Sequence, residues 1–521
     1  MLVHQLLHEA AARDREAVAL IEPKRSVSYA ELDGMANCFA NLLLCAGVKR
    51  GDRVVLALEN SVELVAAYFG AMRAGAAAVP LPPGPRSDRF IGAVSDCTPR
   101  VAIIEERLAR ELAPTFDNIP SIFIRRGAAV TRGAQAPALG HDLGKGLETA
   151  GSNEPSVPVT AAELAAIIYT SGSTGTPRGV MLTHGNIVAN TRSIVEYQGL
   201  TASDRVMCIL PFHYVFGLSL LHTHVAVGGS VVIDNRFVFP NVVLEAMQRR
   251  RVTGLAGVPS TFALLLHRSN LAGMKFPDLR YVAQAGGGMP PARVREWLER
   301  GPQVPFYVMY GATEASARLT YLPPADLRRK LGSIGRPIPG VEISVMADGD
   351  RIAGFGEVGE LVARGENISP GYWNNLEETR EKFGALGYRT GDLGYVDEDG
   401  FLFLVGRRHD MIKVGGRRVG AREIEDVLHE HPQVFEAAVI GVAHEILGEA
   451  PVAFVAAREK DAVVHAESLA AFCHSKLPHY KVPVRFIFCQ EIPKLPGVGK
   501  IDKGALRELA GAEAATVAAR R

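Results

Sequence analysis

Between Ser28 and Leu81 the apolar residues change their period repeatedly, and this alternation restricts the fold more than any other feature of the chain. Leu32, Met35, Phe39, Leu42 and Leu43 mark one helical face, Val54 to Leu58 is an apolar run of strand length, Leu64 to Met72 returns to helical spacing, and Ala77 to Leu81 is again a strand. Helices and strands in alternation imply a sheet covered by helices, an α/β domain. The signals continue from Ala161 to about Gly340, after which Val341 to Leu404 turns strand-rich with frequent glycine, as in a small β-barrel subdomain. A Gly/Ala/Pro-rich passage from Arg126 to Pro158 reads as a surface connection.

The character changes again at Gly406-Arg407-Arg408-His409-Asp410, a polar run between the strand Phe401 to Val405 and a mixed α/β tail. A boundary there gives a large domain over 1–406 and a small α+β domain over 407–521, with a hinge near His409. In the tail, Ile424, Val427 and Leu428 stripe a helix from Ala421 to His429. The 521 residues suit two to four domains at about 150 residues each.

Lys plus Arg is 57 against 56 for Asp plus Glu, a net +1 that gives no global electrostatic case for a nucleic-acid partner. The six cysteines are scattered without a C-x-x-C pair, so neither a disulfide framework nor a zinc ribbon is indicated. Met1 to Glu16 lacks the apolar core of a secretory signal. Val206 to Leu221 contains Pro211 and His213 and falls short of the roughly 18 residues a membrane helix requires. A cytoplasmic protein without a membrane span is expected.

The stretch that carries most chemistry is Tyr169-Thr170-Ser171-Gly172-Ser173-Thr174-Gly175-Thr176-Pro177-Arg178-Gly179, directly after the apolar run Leu164 to Ile168. Its glycines let backbone approach an anion, the hydroxyls of Thr170, Ser171, Ser173 and Thr174 can donate to phosphate oxygens, and Arg178 adds fixed positive charge. No Gly-Lys pair stands at Walker A spacing. On composition alone, a flexible Ser/Gly turn is the alternative.

This stretch resembles the phosphate loop of the adenylate-forming enzymes, the superfamily of acyl-CoA synthetases, adenylation domains and firefly-type luciferases. Further segments resemble the family's motifs in its order: Tyr310-Gly311-Ala312-Thr313-Glu314, Tyr388-Arg389-Thr390-Gly391-Asp392-Leu393, the hinge region Gly406-Arg407 with Ile412-Lys413 and Glu423-Ile424-Glu425, and the lysine loop Pro496-Gly497-Val498-Gly499-Lys500. The resemblance spans roughly Ser28 to Leu506 and implies two α/β subdomains and a β-barrel followed by a small mobile domain.

It also implies a reaction: a carboxylate attacks the α-phosphate of ATP, giving acyl-AMP and pyrophosphate, and a thiol then displaces AMP. Carried over, Glu314 is the Mg²⁺ ligand and Thr313 binds the AMP phosphate, a pattern that suits magnesium's taste for one or two carboxylates plus phosphate oxygens. Asp392 takes the ribose hydroxyls with help from Arg407, Tyr310 beside Gly311 offers adenine a flat face, and Gly286, Gly287 and Gly288 leave room for base and acyl group. Lys500 stabilises charge developing in adenylation. After domain rotation Lys413, Gly415 and Gly416 line the thiol channel. His213 is the gate aromatic, with Tyr214, Val258 and Phe262 toward an apolar acyl pocket. His222 and His224, spaced like a metal pair, lack a third ligand and read as structural.

Departures from the family pattern are visible. Arg178 replaces the usual lysine, exchanging a point donor for a planar fork. His409 stands where the hinge usually has Asp or Lys, with Asp410 next, and titration near about 6.5 would make rotation pH-sensitive. No Asp follows His213, which disfavours an α-amino acid, and the apolar pocket suits a fatty or aryl acid; the resemblance to the family implies CoA as acceptor. Loading of a carboxylic or amino acid onto the phosphopantetheine of an acyl carrier protein is the alternative. A silent nucleotide-binding module would be expected to lose the lysine or the magnesium acid, and Glu314, Asp392, Arg407 and Lys500 are all present.

Overall fold

The computed structural model describes residues 1–84, 88–125, 140–171, 177–458, 464–494 and 501–519. The alternation at the start resolves into helix Tyr29–Cys45, strand Arg53–Ala57, helix Val62–Arg73 and strand Ala77–Pro80. The first helix starts where its sequence says it should. Ser28 Oγ accepts from Glu31 N and the Glu31 carboxylate accepts from Ser28 N, a capping box. The two helices pack so closely that a Cβ on Gly70 would stand 2.6 Å from Phe39 Cβ.

Three sheets organise the described residues. One has seven strands, in the order His141–Asp142, Ser121–Arg125, Val101–Glu105, Arg53–Ala57, Ala77–Pro80, Leu164–Ser171 and Pro177–Thr183. All its pairs are parallel except the last, an antiparallel hairpin. The Gly/Ala/Pro-rich passage is therefore not only a connection. His141–Asp142 forms an edge strand, Asp142 caps helix Leu143–Thr149 by accepting from Lys145 N, and Leu143 is buried. Here a capping Asp and one core leucine outweigh a loop-like composition.

The second sheet has fifteen strands. Its parallel part includes Arg205–Cys208, Ser230–Ile233, Gly254–Gly257, Tyr281–Gln284 and Phe306–Tyr310. Thr320–Leu322 and Ser333–Pro337 then lead, by antiparallel pairing, into Leu402–Arg407, Gly387–Val396, Gly359–Gly365 and Val341–Ala347. The strand-rich region is thus joined edge to edge with the α/β sheet, and its ladder ends at Arg351–Ile352. Among the described residues no helix is long and apolar enough to cross a membrane.

A third, five-stranded sheet is built from Ile412–Val414, Arg417–Val419, Val434–His444, Gly448–Ala457 and Arg485–Cys489. Helix Ala421–His429 covers it with Ile424 and Leu428 fully buried, as its apolar stripe predicts. This part docks on the rest through helix Pro291–Arg300, where Arg293 Nη2 donates to Phe435 O at 2.8 Å.

Candidate active site

Two strand ends and one mid-strand position bring Tyr310, Arg407 and Asp392 together. Tyr310 closes strand Phe306–Tyr310, and Asp392 and Arg407 are register partners on Gly387–Val396 and Leu402–Arg407. Tyr310 Oη donates to Asp392 Oδ2 at 2.6 Å and Arg407 Nε donates to Asp392 Oδ1 at 3.2 Å. Burial, with Asp392 alongside, pushes the Tyr310 phenol well above its ordinary range, so it stays a neutral donor. A carboxylate offers about four lone-pair sites, so two remain for hydroxyls of a ligand.

Glu314 lies in the short turn Thr313–Ala315 after that strand. Its Oε1 accepts from Tyr372 Oη at 2.9 Å, and its backbone O accepts from Ser369 N at 2.8 Å. Tyr372 belongs to a segment stitched to strand Pro177–Thr183: Met181 N donates to Gly371 O, and Trp373 N to Gly179 O. Only glycine fits at 179, because a Cβ there would stand 2.9 Å from Ile167 Cγ2. Arg178, next to it, pairs with Glu378 at 2.8 Å. Tyr388 is buried behind both groups, its phenol raised first by burial and then by Glu314, Tyr372, Tyr310 and Asp392.

Thr170 pairs with Arg178 across the hairpin, and Ser171 ends its first strand. The connection between these strands carries Gly172, Ser173, Thr174 and Gly175, which lie outside the described residues, as does Lys500. The phosphate-loop sequence therefore joins two antiparallel strands rather than opening a helix, a different frame from a Walker A loop.

The residues assigned to the acyl group form a second set. The His213 and Tyr214 rings are 4.4 Å apart, and burial lowers the His213 imidazole to about 4, which leaves it neutral. Gly286 has φ +82°, a left-handed value that favours glycine, and its Cβ would stand 3.0 Å from Val258 Cγ1. Gly287 faces Pro259. The space beside Gly288 is taken by the Arg422 guanidinium, 3.2 Å from where a Cβ would be. Phe262 is not a pocket residue: it is fully buried in the core against Trp297, with ring centroids 4.8 Å apart.

The hinge residues His409 and Asp410 come shortly after Arg407 in the chain and interact with it electrostatically. Lys413 is exposed, and its backbone N donates to Glu449. Gly415 and Gly416, with φ +54° and +79°, form the two-residue turn between Ile412–Val414 and Arg417–Val419. The His409 side chain is mostly exposed and its pKa is lowered, chiefly by desolvation, so it titrates below the ordinary 6.5. Asp410 is held at 2.9 Å by Lys503. His222 and His224 are buried structural residues, bonded to Tyr68 at 3.1 Å and to Leu220 O at 2.8 Å respectively.

Sequence reasoning passed over Tyr372 and Glu378. Their signal is faint: a Gly-Tyr-Trp triplet after Pro370, and an acid in the first turn of helix Leu376–Lys382. Among the described residues no group of three His, Cys, Asp or Glu side chains could hold a metal ion. Glu314 fits a magnesium site of another kind, in which one carboxylate is completed by phosphate oxygens and water.

Residues 7–373 match the AMP-binding enzyme family, and residues 423–500 match the AMP-binding enzyme C-terminal domain. The chain is 34% identical over 493 residues to the 2-succinylbenzoate–CoA ligase of Geobacillus kaustophilus, covering 94% of each chain. Its fold matches that of the anthranilate CoA ligase AuaEII, solved with anthranoyl-AMP, at a TM-score of 0.90 and 27% identity, covering 99% of this chain and 98% of the other. The o-succinylbenzoate coenzyme A synthetase of Bacillus subtilis, solved with ATP and magnesium, matches at 0.82 and 28% identity, covering 95% and 98%.

Proposed function

This chain belongs to the AMP-binding enzyme family, and from that premise we propose that it activates a fatty or aryl carboxylic acid with ATP and transfers the acyl group to CoA. It is an AMP-forming acid–thiol ligase working through an acyl-AMP intermediate. The observation that carries the reading is the paired arrangement of Asp392 between Tyr310 and Arg407 with Glu314 a short turn after Tyr310. One polar corner suits a ribose and the other a metal-bound phosphate.

In the first half-reaction an oxygen of the acid attacks the α-phosphorus, forming the acyl-phosphate bond as the bond to pyrophosphate breaks. Asp392 receives the ribose hydroxyls, fixed by its two donors. Thr313 and the loop Thr170 to Gly175 donate to phosphate oxygens, and Lys500 brings positive charge to the reacting centre. Arg178 reaches that centre only by exchanging Glu378 for phosphate. Glu314 would hold magnesium, which when bound would neutralise phosphate charge. In the second half-reaction a thiol sulfur bonds the acyl carbon, AMP leaves, and the thiol proton passes to solvent.

We place the domain boundary at 406/407. Rotation about His409 and Asp410 then withdraws Lys500 and presents Lys413, Gly415 and Gly416 to the thiol. Neutral His213 gates the passage between acyl pocket and thiol. The described backbone N–H groups of Lys413 and Gly415 donate to Glu449 and to the turn residue Leu447, both in the 407–521 part, which suits a hairpin that moves with it. The test is pyrophosphate release with ATP and Mg²⁺ over fatty, aryl and amino acids, with CoA present or absent, beside Lys500→Ala. Turnover of one acid class that collapses in the variant supports the reading. Preference for a holo-carrier protein over CoA would replace the acceptor, and silence with every acid would overturn the reading.

A further inference from the structure

Arg318 is 2% exposed, and a guanidinium keeps its charge at any ordinary pH. Two other arginines are buried nearly as deeply, Arg73 at 3% and Arg293 at 7%, and each has a carboxylate, Asp33 and Glu296. Arg318 has none among the described residues. Its Nε points at Met309 Sδ at 3.3 Å, its Nη1 donates to Ala317 O at 3.2 Å, and its plane lies 4.2 Å over the Phe216 ring.

The surroundings repeat the imbalance. Tyr197 Oη stands 3.0 Å from Met309 Sδ and is hydrogen-bonded to Arg318 as well, and Gln198 Nε2 stands 3.8 Å from that sulfur, so the guanidinium meets a weak thioether acceptor and a neutral phenol but no anion. Buried donors normally meet oxygen, and this nest is rich in donors and poor in acceptors. Burial accordingly depresses the Arg318 pKa, with Tyr197 opposing.

The backbone holds this arrangement in place. Ser316 and Ala317 have φ +57° and +128°, unfavourable for non-glycine residues, and the Arg318 carbonyl accepts from both Asn190 Nδ2 at 3.0 Å and Asn367 Nδ2 at 2.9 Å. Strain kept against such a cost aims the side chain. It is aimed toward the acyl side: Phe216, under the guanidinium, has its Cδ1 3.8 Å from where a Cβ on Gly286 would stand. One aromatic ring separates the donor nest from the glycine wall of the acyl pocket.

We propose that the acid this enzyme activates carries a second carboxylate, distal to the reacting one, which the Arg318 guanidinium receives together with Tyr197 and Gln198. The proposal rests on the functional reading above and narrows its acid to a dicarboxylate, aliphatic or aryl. A carboxylate supplies the two acceptors a guanidinium fork is shaped for, whereas a plain alkyl or phenyl group would leave the charge with neutral partners alone, a thioether, a phenol and one carbonyl. Arg318 acts on specificity and takes no part in the transfer.

The experiment compares matched pairs in the pyrophosphate-release assay: hexanoate with hexanedioate, and 4-phenylbutanoate with its ring-carboxylated analogue. Wild-type enzyme is expected to favour the dicarboxylate of at least one pair by 10-fold or more in kcat/KM, a preference of about 1.4 kcal/mol. Arg318→Met should cut that ratio to about 3-fold or less, and Arg318→Lys should restore part of it. Wild-type preference for the monocarboxylates, or a ratio unmoved by Arg318→Met while both acids lose turnover together, would overturn the inference and leave the ligase reading standing. Should Arg318→Met not fold, the wild-type ratios decide alone. Silence with every acid would remove the ligase reading and the inference with it.

Discussion

The nucleotide corner and the acyl wall handle charge in opposite ways. In the corner each carboxylate is answered: Asp392 by Tyr310 and Arg407, Glu314 by Tyr372, Glu378 by Arg178. At the wall a cation and two polar donors meet sulfur, a neutral phenol, one backbone carbonyl and an aromatic face, and no carboxylate among the described residues. A corner satisfied internally holds its shape before the ligand arrives, which is preorganisation for a part common to every turnover. A wall left unsatisfied gains most from the ligand that completes it, which is how a site selects among substrates.

The sharpest way to break the comparison is to remove an anion from the corner. Glu314→Gln is expected to lower pyrophosphate release on the order of 10²–10³-fold and to raise the Mg²⁺ concentration for half-maximal rate. A magnesium titration of the variant checks both. Next comes Tyr310→Phe, which deletes one hydrogen bond to a carboxylate, worth about 1.5–3 kcal/mol. That is an expected loss of about 10- to 100-fold in kcat/KM for ATP, measured at saturating acid.

Stability separates two buried arginines in the same manner. Arg73→Met strands Asp33 and should cost about 3 kcal/mol in chemical denaturation, whereas Arg318→Met strands no carboxylate and should stay within about 1 kcal/mol of wild type. Equal losses would show that the acyl wall is charge-balanced after all.

Acid supplies a smaller, global effect. Burial lowers His222 to about 3 and His224 to about 4, so both are neutral in the fold and take protons only when it opens. Between the ordinary 6.5 and those values the unfolded chain binds more protons, so stability falls with falling pH across that window. A melting temperature lower by about 5 °C or more at pH 4.5 than at pH 7 is expected. Smallest is the hinge. With the His409 pKa lowered, the thioester-forming rates of wild type and His409→Asp should run parallel from pH 7 to 8 and part only below about 6.5.

Much of this was legible in the residues alone, because the relevant signals are local. Periodicity placed Tyr29–Cys45, Arg53–Ala57, Val62–Arg73 and Ala77–Pro80 to within a few positions, and the stripe Ile424, Val427 and Leu428 marked Ala421–His429. The family resemblance set Asp392 and Arg407 side by side, and they are register neighbours on adjacent strands. The short strand and helix after Gly140 stayed hidden, because Gly and Ala dominate the surrounding composition.

Glu378 and Tyr372 illustrate the other half, since each acts on a residue far from it in the chain: Arg178 across the turn of a helix, Glu314 across two strand ends. Phe262, apolar and close to Val258, reads as pocket in one dimension and is core in three. Arg318 was invisible as well. An arginine four positions after a motif glutamate means nothing until burial and the absence of a carboxylate are known together. The sequence by itself determined the local order of helices, strands and chemical motifs, because those depend on neighbours along the chain. Which charges are answered and which are left open was decided only by tertiary structure, since desolvation and counter-charge are properties of the space around a residue rather than of its neighbours in the chain.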